Sequence, residues 1–172
     1  TGLPGCGKSE FIDALMINLA QNEGWTFAVA SFENPVPTHI AKLSEKITGK
    51  PFFSGATERM TKQELSEAKQ FIDNHFVFLE QRDGSAISVD NLLERTREAV
   101  LRLGCRGLVI DPFNYIEQKA SDKEHQSISS MLTRIASFAK AYDIHVWFVA
   151  HPAKMYPDPN GKTHPPKGMS IS

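Results

Sequence analysis

The run Gly2-Leu3-Pro4-Gly5-Cys6-Gly7-Lys8-Ser9 fits the pattern G-x-x-x-x-G-K-[ST] in full. Its chemistry is that of an anion cradle. Glycines let backbone N–H groups converge on phosphate oxygens with no Cβ in the way. A helix that starts directly after the loop turns its positive end toward the same anion. Lys8 adds a point charge suited to β- and γ-phosphates, and the Ser9 hydroxyl suits Mg²⁺. All eight residues are therefore expected to hold ATP, or another nucleoside triphosphate, with Mg²⁺.

Binding phosphate is not hydrolysis, which needs a group to orient the attacking water. In parallel α/β sheets the working residues gather at the carboxyl ends of the strands. Three strand ends carry candidates. The apolar run 25–31 leads into Ser31-Phe32-Glu33-Asn34-Pro35, and Glu33 is the expected catalytic carboxylate. The run Leu108-Val109-Ile110 delivers Asp111, an apolar strand closed by an acid, expected to hold the metal through its water or through Ser9. The run 144–150 ends at His151, a polar group that could report on the γ-phosphate.

The elements that must position these residues follow from hydrophobic period and stop signals. Phe11, Ile12, Leu15 and Leu19 mark a helix over 8–22. A strand over 25–31 follows, then a helix over 37–48 closed by Gly49. Thr61 with Glu64 is a capping-box pair opening a helix that runs to about Asn74. A strand spans 75–79. A helix spans 89–103, with Leu92, Leu93, Val100 and Leu103 on its apolar face and Gly104 as its stop. The strand 107–110 precedes a helix over 124–141 with Ile128, Leu132, Ile135 and Phe138 on one face. The strand 144–150 is the last. Helices alternating with short apolar strands predict an α/β fold, a mainly parallel sheet with helices on both faces. Trp25 and Trp147 fall in strands and read as core or sheet-face residues.

Composition sets outer bounds. At 172 residues the chain suits one domain, since domains run to roughly 100–200 residues. Nineteen basic and twenty acidic residues leave a net charge of −1, so any nucleic-acid contact must come from a local patch. Two cysteines, Cys6 and Cys105, make no disulfide framework and read as reduced thiols. No apolar run is long enough for a membrane span. Residues 152–168 hold five prolines and two glycines, and 152–172 reads as a long loop, expected to be mobile. The phosphate loop normally follows a strand, and none precedes Thr1, so the chain reads as a fragment of a longer protein.

Taken together, Gly2 to Ser9, Ser31-Phe32-Glu33, Val109-Ile110-Asp111 and Val149-Ala150-His151-Pro152-Ala153-Lys154 resemble the RecA-like motor domain of DnaB-type replicative DNA helicases. The likeness is strongest to the Twinkle-like and phage primase-helicase branch. The glutamate after the second strand is shared by RecA-like proteins generally, whereas His-Pro-x-Lys is more specific, since DnaB itself usually has glutamine at the place of His151. The resemblance implies Lys8, Glu33 and His151 as catalytic residues and Ser9 and Asp111 as metal-linked ones. It implies a homo-hexamer in the intact protein, and a cytoplasmic, bacterial or phage-encoded setting rather than a mitochondrial one. It also implies single-stranded DNA as partner, held by loops at about 114–127 and 154–170. Lys154, Lys162 and Lys167 are the phosphate contacts expected in the second loop, with Tyr156 a candidate for base stacking. In the first, Lys119 and Lys123 are nearly cancelled by Glu117, Asp122 and Glu124. The family's arginine finger lies beyond the segment corresponding to Ser172. Such a residue is worth about 10³–10⁵ in rate, so the chain alone is expected to hydrolyse ATP slowly. A recombinase or clock-type ATPase shares most of these features. A nucleotide-gated scaffold would not need both Glu33 and Asp111, and a small-molecule kinase would carry an arginine-rich lid.

Overall fold

The computed structural model describes residues 5–80, 87–116 and 124–150, with side chains from residue 128 onward in the last stretch. The elements run α1 (Lys8–Glu23), β1 (Phe27–Ser31), α2 (Val36–Thr48), α3 (Lys62–His75), β2 (Phe76–Phe78), α4 (Val89–Leu103), β3 (Gly107–Asp111), a short 3₁₀ turn at Phe113–Tyr115, α5 (Glu124–Tyr142) and β4 (His145–Phe148). Each helix and strand expected from the sequence is present, with ends shifted by a residue or two. Trp25 lies just ahead of β1 rather than in it, and β4 stops at Phe148.

The four strands form one parallel sheet in the order β2-β1-β3-β4. Parallel neighbours need crossover connections, which the helices supply. Because β1 and β3 are buried on both faces, they read as continuous apolar runs rather than alternating ones. Alternate residues still feed different cores. Ala28, Ala30, Leu108 and Ile110 pack with Leu92 and Ala99 of α4 and Met131 and Ile135 of α5. Phe27, Val29 and Val109 pack with Met16, Ile17 and Ala20 of α1, Leu43 of α2 and Ile72 of α3. Helices α1–α3 therefore cover one face and α4–α5 the other. Trp25 and Trp147 pack against the second cluster, and the Arg106 guanidinium sits 4.6 Å above the Trp25 ring.

Three helix faces differ from the apolar pattern. In α1 the buried residues are Asp13, Met16, Ile17 and Ala20, while Phe11 is 67% exposed. The buried stripe is turned from the one that Phe11, Ile12, Leu15 and Leu19 suggest, because an acid occupies its first position. In α4, Val89, Leu92, Thr96 and Ala99 are buried and Leu103 faces out. In α5, Met131 and Ile135 are buried and Leu132 is exposed.

Local capping agrees with the sequence. Thr61 Oγ1 accepts from the Glu64 backbone N–H, and the Glu64 carboxylate accepts from the Thr61 N–H at 2.7 Å. That backbone bond, with help from Lys50, holds the Glu64 carboxyl at about 2. Among the described residues no helix is long and apolar enough to cross a membrane. Both cysteines are free thiols. Burial pushes the Cys105 thiol up to about 11, which leaves it unreactive.

Candidate nucleotide site

The register of the sheet decides what meets at its carboxyl rim. Ser31 of β1 is the parallel partner of Asp111 of β3. The Phe32 N–H donates to the Asp111 carbonyl at 2.9 Å, which carries the pairing one residue past the strand. Glu33 is the next residue along, so it leaves the sheet beside Asp111. On the other side, the Val149 N–H donates to Ile110 and the Phe113 N–H donates to Val149. A cis peptide joins Asp111 to Pro112.

The phosphate loop enters this rim through α1. Gly5 and Gly7 have φ of 76° and 81°, a left-handed region that a side chain would strain. Gly7 is the N-cap of α1 and gives it no side-chain cap. The first N–H groups of a helix have no partner within the helix, which suits them to an anion. Gly5, Gly7, Lys8, Ser9, Glu10, Glu33, Asn34 and Lys42 line one open cleft of about 260 Å³.

Asp111 joins this site through Ser9. It is 7% exposed. The Ser9 hydroxyl donates to its carboxylate, while Oδ1 is buried with no hydrogen-bond partner. Burial first, then the nearby charges of Glu33 and Asp13, raises the Asp111 carboxyl above its usual range, against the Ser9 hydrogen bond and His39. An unsatisfied buried carboxylate oxygen beside a serine hydroxyl is the donor set that a Mg²⁺ ion uses alongside phosphate oxygens and water. Ser9 and Asp111 fit such an ion. Among the described residues no group of three acids, histidines or cysteines offers a self-sufficient metal cage.

The structure thus brings together Gly5, Cys6, Gly7, Lys8, Ser9, Glu33 and Asp111. Gly2, Leu3, Pro4, His151, Lys154, Lys162 and Lys167 lie outside the described residues, as do Tyr156 and the 152–172 segment. Glu117, Lys119, Asp122 and Lys123 of the other suggested loop also lie outside.

Sequence reasoning missed a second layer. The His39 Nε2–H donates to Asp13 Oδ1 at 2.8 Å. Both residues are buried, and the ring of Phe78 packs edge-on against His39. Lys46 also approaches Asp13, at 3.9 Å, and pairs with Glu10. This ladder pins α2, the helix that follows Glu33, onto α1, the helix that follows the phosphate loop. The one signal available was Asp13 itself, an acid in register with Met16, Ile17 and Ala20.

Asp111 carries a direct test. Its raised value means that folding favours the protonated form. The stability this group contributes is fully present below its ordinary value of 3.8. It is lost as pH rises through the folded-state value. At neutral pH the carboxylate therefore opposes folding of the nucleotide-free chain. Asp111→Asn is expected to raise its Tm at pH 7, with the gain shrinking as pH falls toward 4, while weakening Mg²⁺-dependent nucleotide binding. Thermal melts across pH with and without Mg²⁺-ATP read both effects. A variant less stable at pH 7 than the parent would contradict the electrostatic account of this site.

A parallel sheet with helices on both faces, a glycine loop opening a helix, and acids at two adjacent strand tips define a RecA-like P-loop domain. The chain belongs to the AAA domain family, whose model matches residues 1–155. It is 42% identical over 161 residues to the Twinkle homolog protein, chloroplastic/mitochondrial, of Arabidopsis thaliana. That stretch is 90% of this chain but 23% of the relative, so the chain spans less than a quarter of that protein's length. Its fold is also similar to two solved structures. One is a DnaB-like replicative helicase studied with its primase interactions, at TM-score 0.72 and 20% identity, covering 88% of this chain and 38% of that one. The other is a KaiC-like protein from Pyrococcus horikoshii, at TM-score 0.59 and 15% identity, covering 87% of this chain and 58% of that one.

Proposed function

We propose that this chain is the ATP-hydrolysing motor core of a replicative DNA helicase. The observation that carries the nucleotide half of the reading is the hydrogen bond to Asp111 from Ser9, which lines one cleft with Lys8 and Glu33. The sequence relationship to a Twinkle homolog supports the helicase half.

In this reading the backbone N–H groups at the start of α1 and the Lys8 ammonium bind the phosphates. Ser9 and Asp111 would hold Mg²⁺, which would neutralise phosphate charge. Glu33 orients a water toward the terminal phosphate. His151 senses the terminal phosphate and passes its loss to the segment bearing Lys154, Lys162 and Lys167. Those lysines grip the backbone of single-stranded DNA. In the intact protein the subunits form a homo-hexameric ring, with an arginine from the neighbour completing each site. Binding of this kind is insensitive to base sequence and weakens with salt.

The test is a forked duplex with Mg²⁺-ATP and the intact protein. Unwinding, with hydrolysis stimulated by single-stranded DNA, is expected. DNA-stimulated hydrolysis that pairs or exchanges strands without unwinding would favour a recombinase. Hydrolysis indifferent to DNA would favour a clock-type or scaffold role.

A further inference from the structure

The α2 face that meets α1 presents His39, Lys42 and Lys46 at helical spacing. Opposite them α1 presents Glu10 and Asp13. The inner rungs are well matched: His39 takes Asp13, and Lys46 takes Glu10 and lies near Asp13. Lys42 is the most exposed of the three. Its ammonium stands 3.6 Å from Glu10 Oε1, longer than a good charge-assisted hydrogen bond. Glu10 is held below its usual carboxyl range chiefly by Lys46, with Lys42 the least of its causes. The Lys42 side chain is 37% exposed, and it forms part of the wall of the cleft that Lys8, Ser9 and Glu33 line.

This placement matters because of where the helix begins. Glu33, Asn34 and Pro35 lead directly into α2, so Lys42 stands on the helix that follows the proposed catalytic carboxylate, whereas Lys8 stands on α1. A triphosphate entering the cleft meets one cation from each helix. We propose that Lys42 is a second phosphate-directed cation of this site, one that leaves Glu10 to contact the terminal phosphate of the bound nucleotide. Glu10 keeps Lys46 when Lys42 leaves, so the exchange strands no charge. The same contact draws α2, and with it Glu33, toward the phosphate that is to be hydrolysed. Diphosphate, lacking the terminal group, leaves Lys42 on Glu10.

The inference rests on the nucleotide reading of the cleft, and its test separates the two. Binding of fluorescent ATP and ADP analogues is measured on the intact protein with Mg²⁺. Lys42→Met keeps the length of the side chain and removes its charge; Lys42→Gln is the second neutral variant. Both are expected to weaken the triphosphate analogue about tenfold, with the diphosphate analogue changed less than about twofold. Lys42→Arg is expected to retain most of the preference for triphosphate. Equal losses for both nucleotides, or no loss for either, would overturn the role of Lys42. Lys8→Met is the separate control. If it leaves both affinities intact, the cleft is not the nucleotide site and the underlying reading fails. If it abolishes binding while Lys42→Met changes nothing, only the Lys42 proposal fails.

Discussion

Glu33→Gln in the intact protein is expected to lower kcat for ATP hydrolysis by about 10²–10⁴-fold, the usual contribution of a positioned general base. ATP affinity is expected to stay within a few-fold of the parent. The reasoning is geometric. Glu33 lines the cleft with Lys8 and Ser9, one residue past the Phe32–Asp111 backbone bond that ends the β1–β3 pairing. Glutamine preserves size and hydrogen bonding but can neither accept a proton nor carry the charge that orients water. Because the proposed phosphate contacts are the α1 terminus and Lys8, kcat and affinity are expected to separate. Steady-state turnover with parallel nucleotide titrations reads both. A kcat within threefold of the parent would remove Glu33 from the chemistry and favour a protein that binds nucleotide as a scaffold.

The second large effect is on stability. His39→Ala is expected to cost about 3 kcal/mol, the upper end for leaving a buried polar group without its hydrogen-bond partner. It leaves the Asp13 carboxyl, which is 4% exposed, without its 2.8 Å hydrogen bond and with Lys46 at 3.9 Å as its remaining partner. The double change Asp13→Ala with His39→Ala is expected to cost clearly less than the two single costs added, because no buried hydrogen-bonding group of the pair is left without its partner. Urea unfolding of the four proteins in the cycle gives the coupling. Strict additivity would mean that the 2.8 Å contact contributes nothing beyond its parts. Loss of this pair also frees α2 from α1 beside Glu33, so slower turnover is expected to accompany the lower stability.

The residues legible in the sequence share one property: each is tied to a local pattern. The glycine loop, Lys8 and Ser9 form a contiguous motif, and Glu33 and Asp111 close apolar strands. A parallel sheet with crossovers on both faces then places those strand ends together, as the Ser31–Asp111 register shows. Helix positions were legible for the same reason, from period and caps such as Thr61 with Glu64. The buried stripe of α1 was not. Asp13 breaks its apolar pattern, and His39, 26 residues away, with Lys46 nearby, makes an acid tolerable there. Lys42 was hidden in the same way. Nothing local separates a solvated helix lysine from one whose neighbour helix forms the phosphate loop's exit. Pairings between helices are set by packing across the sheet face, and no spacing along the chain encodes them.

The central claim is that one triphosphate is held between the start of α1 and the tips of β1 and β3. A crystal structure of the intact protein with Mg²⁺ and a non-hydrolysable ATP analogue tests it most directly. The metal is expected on the Ser9 hydroxyl, Asp111 in contact with that metal or its water, and Glu33 within one water of the terminal phosphate. A triphosphate bound elsewhere, or Glu33 turned away from it to bulk solvent, would contradict the account.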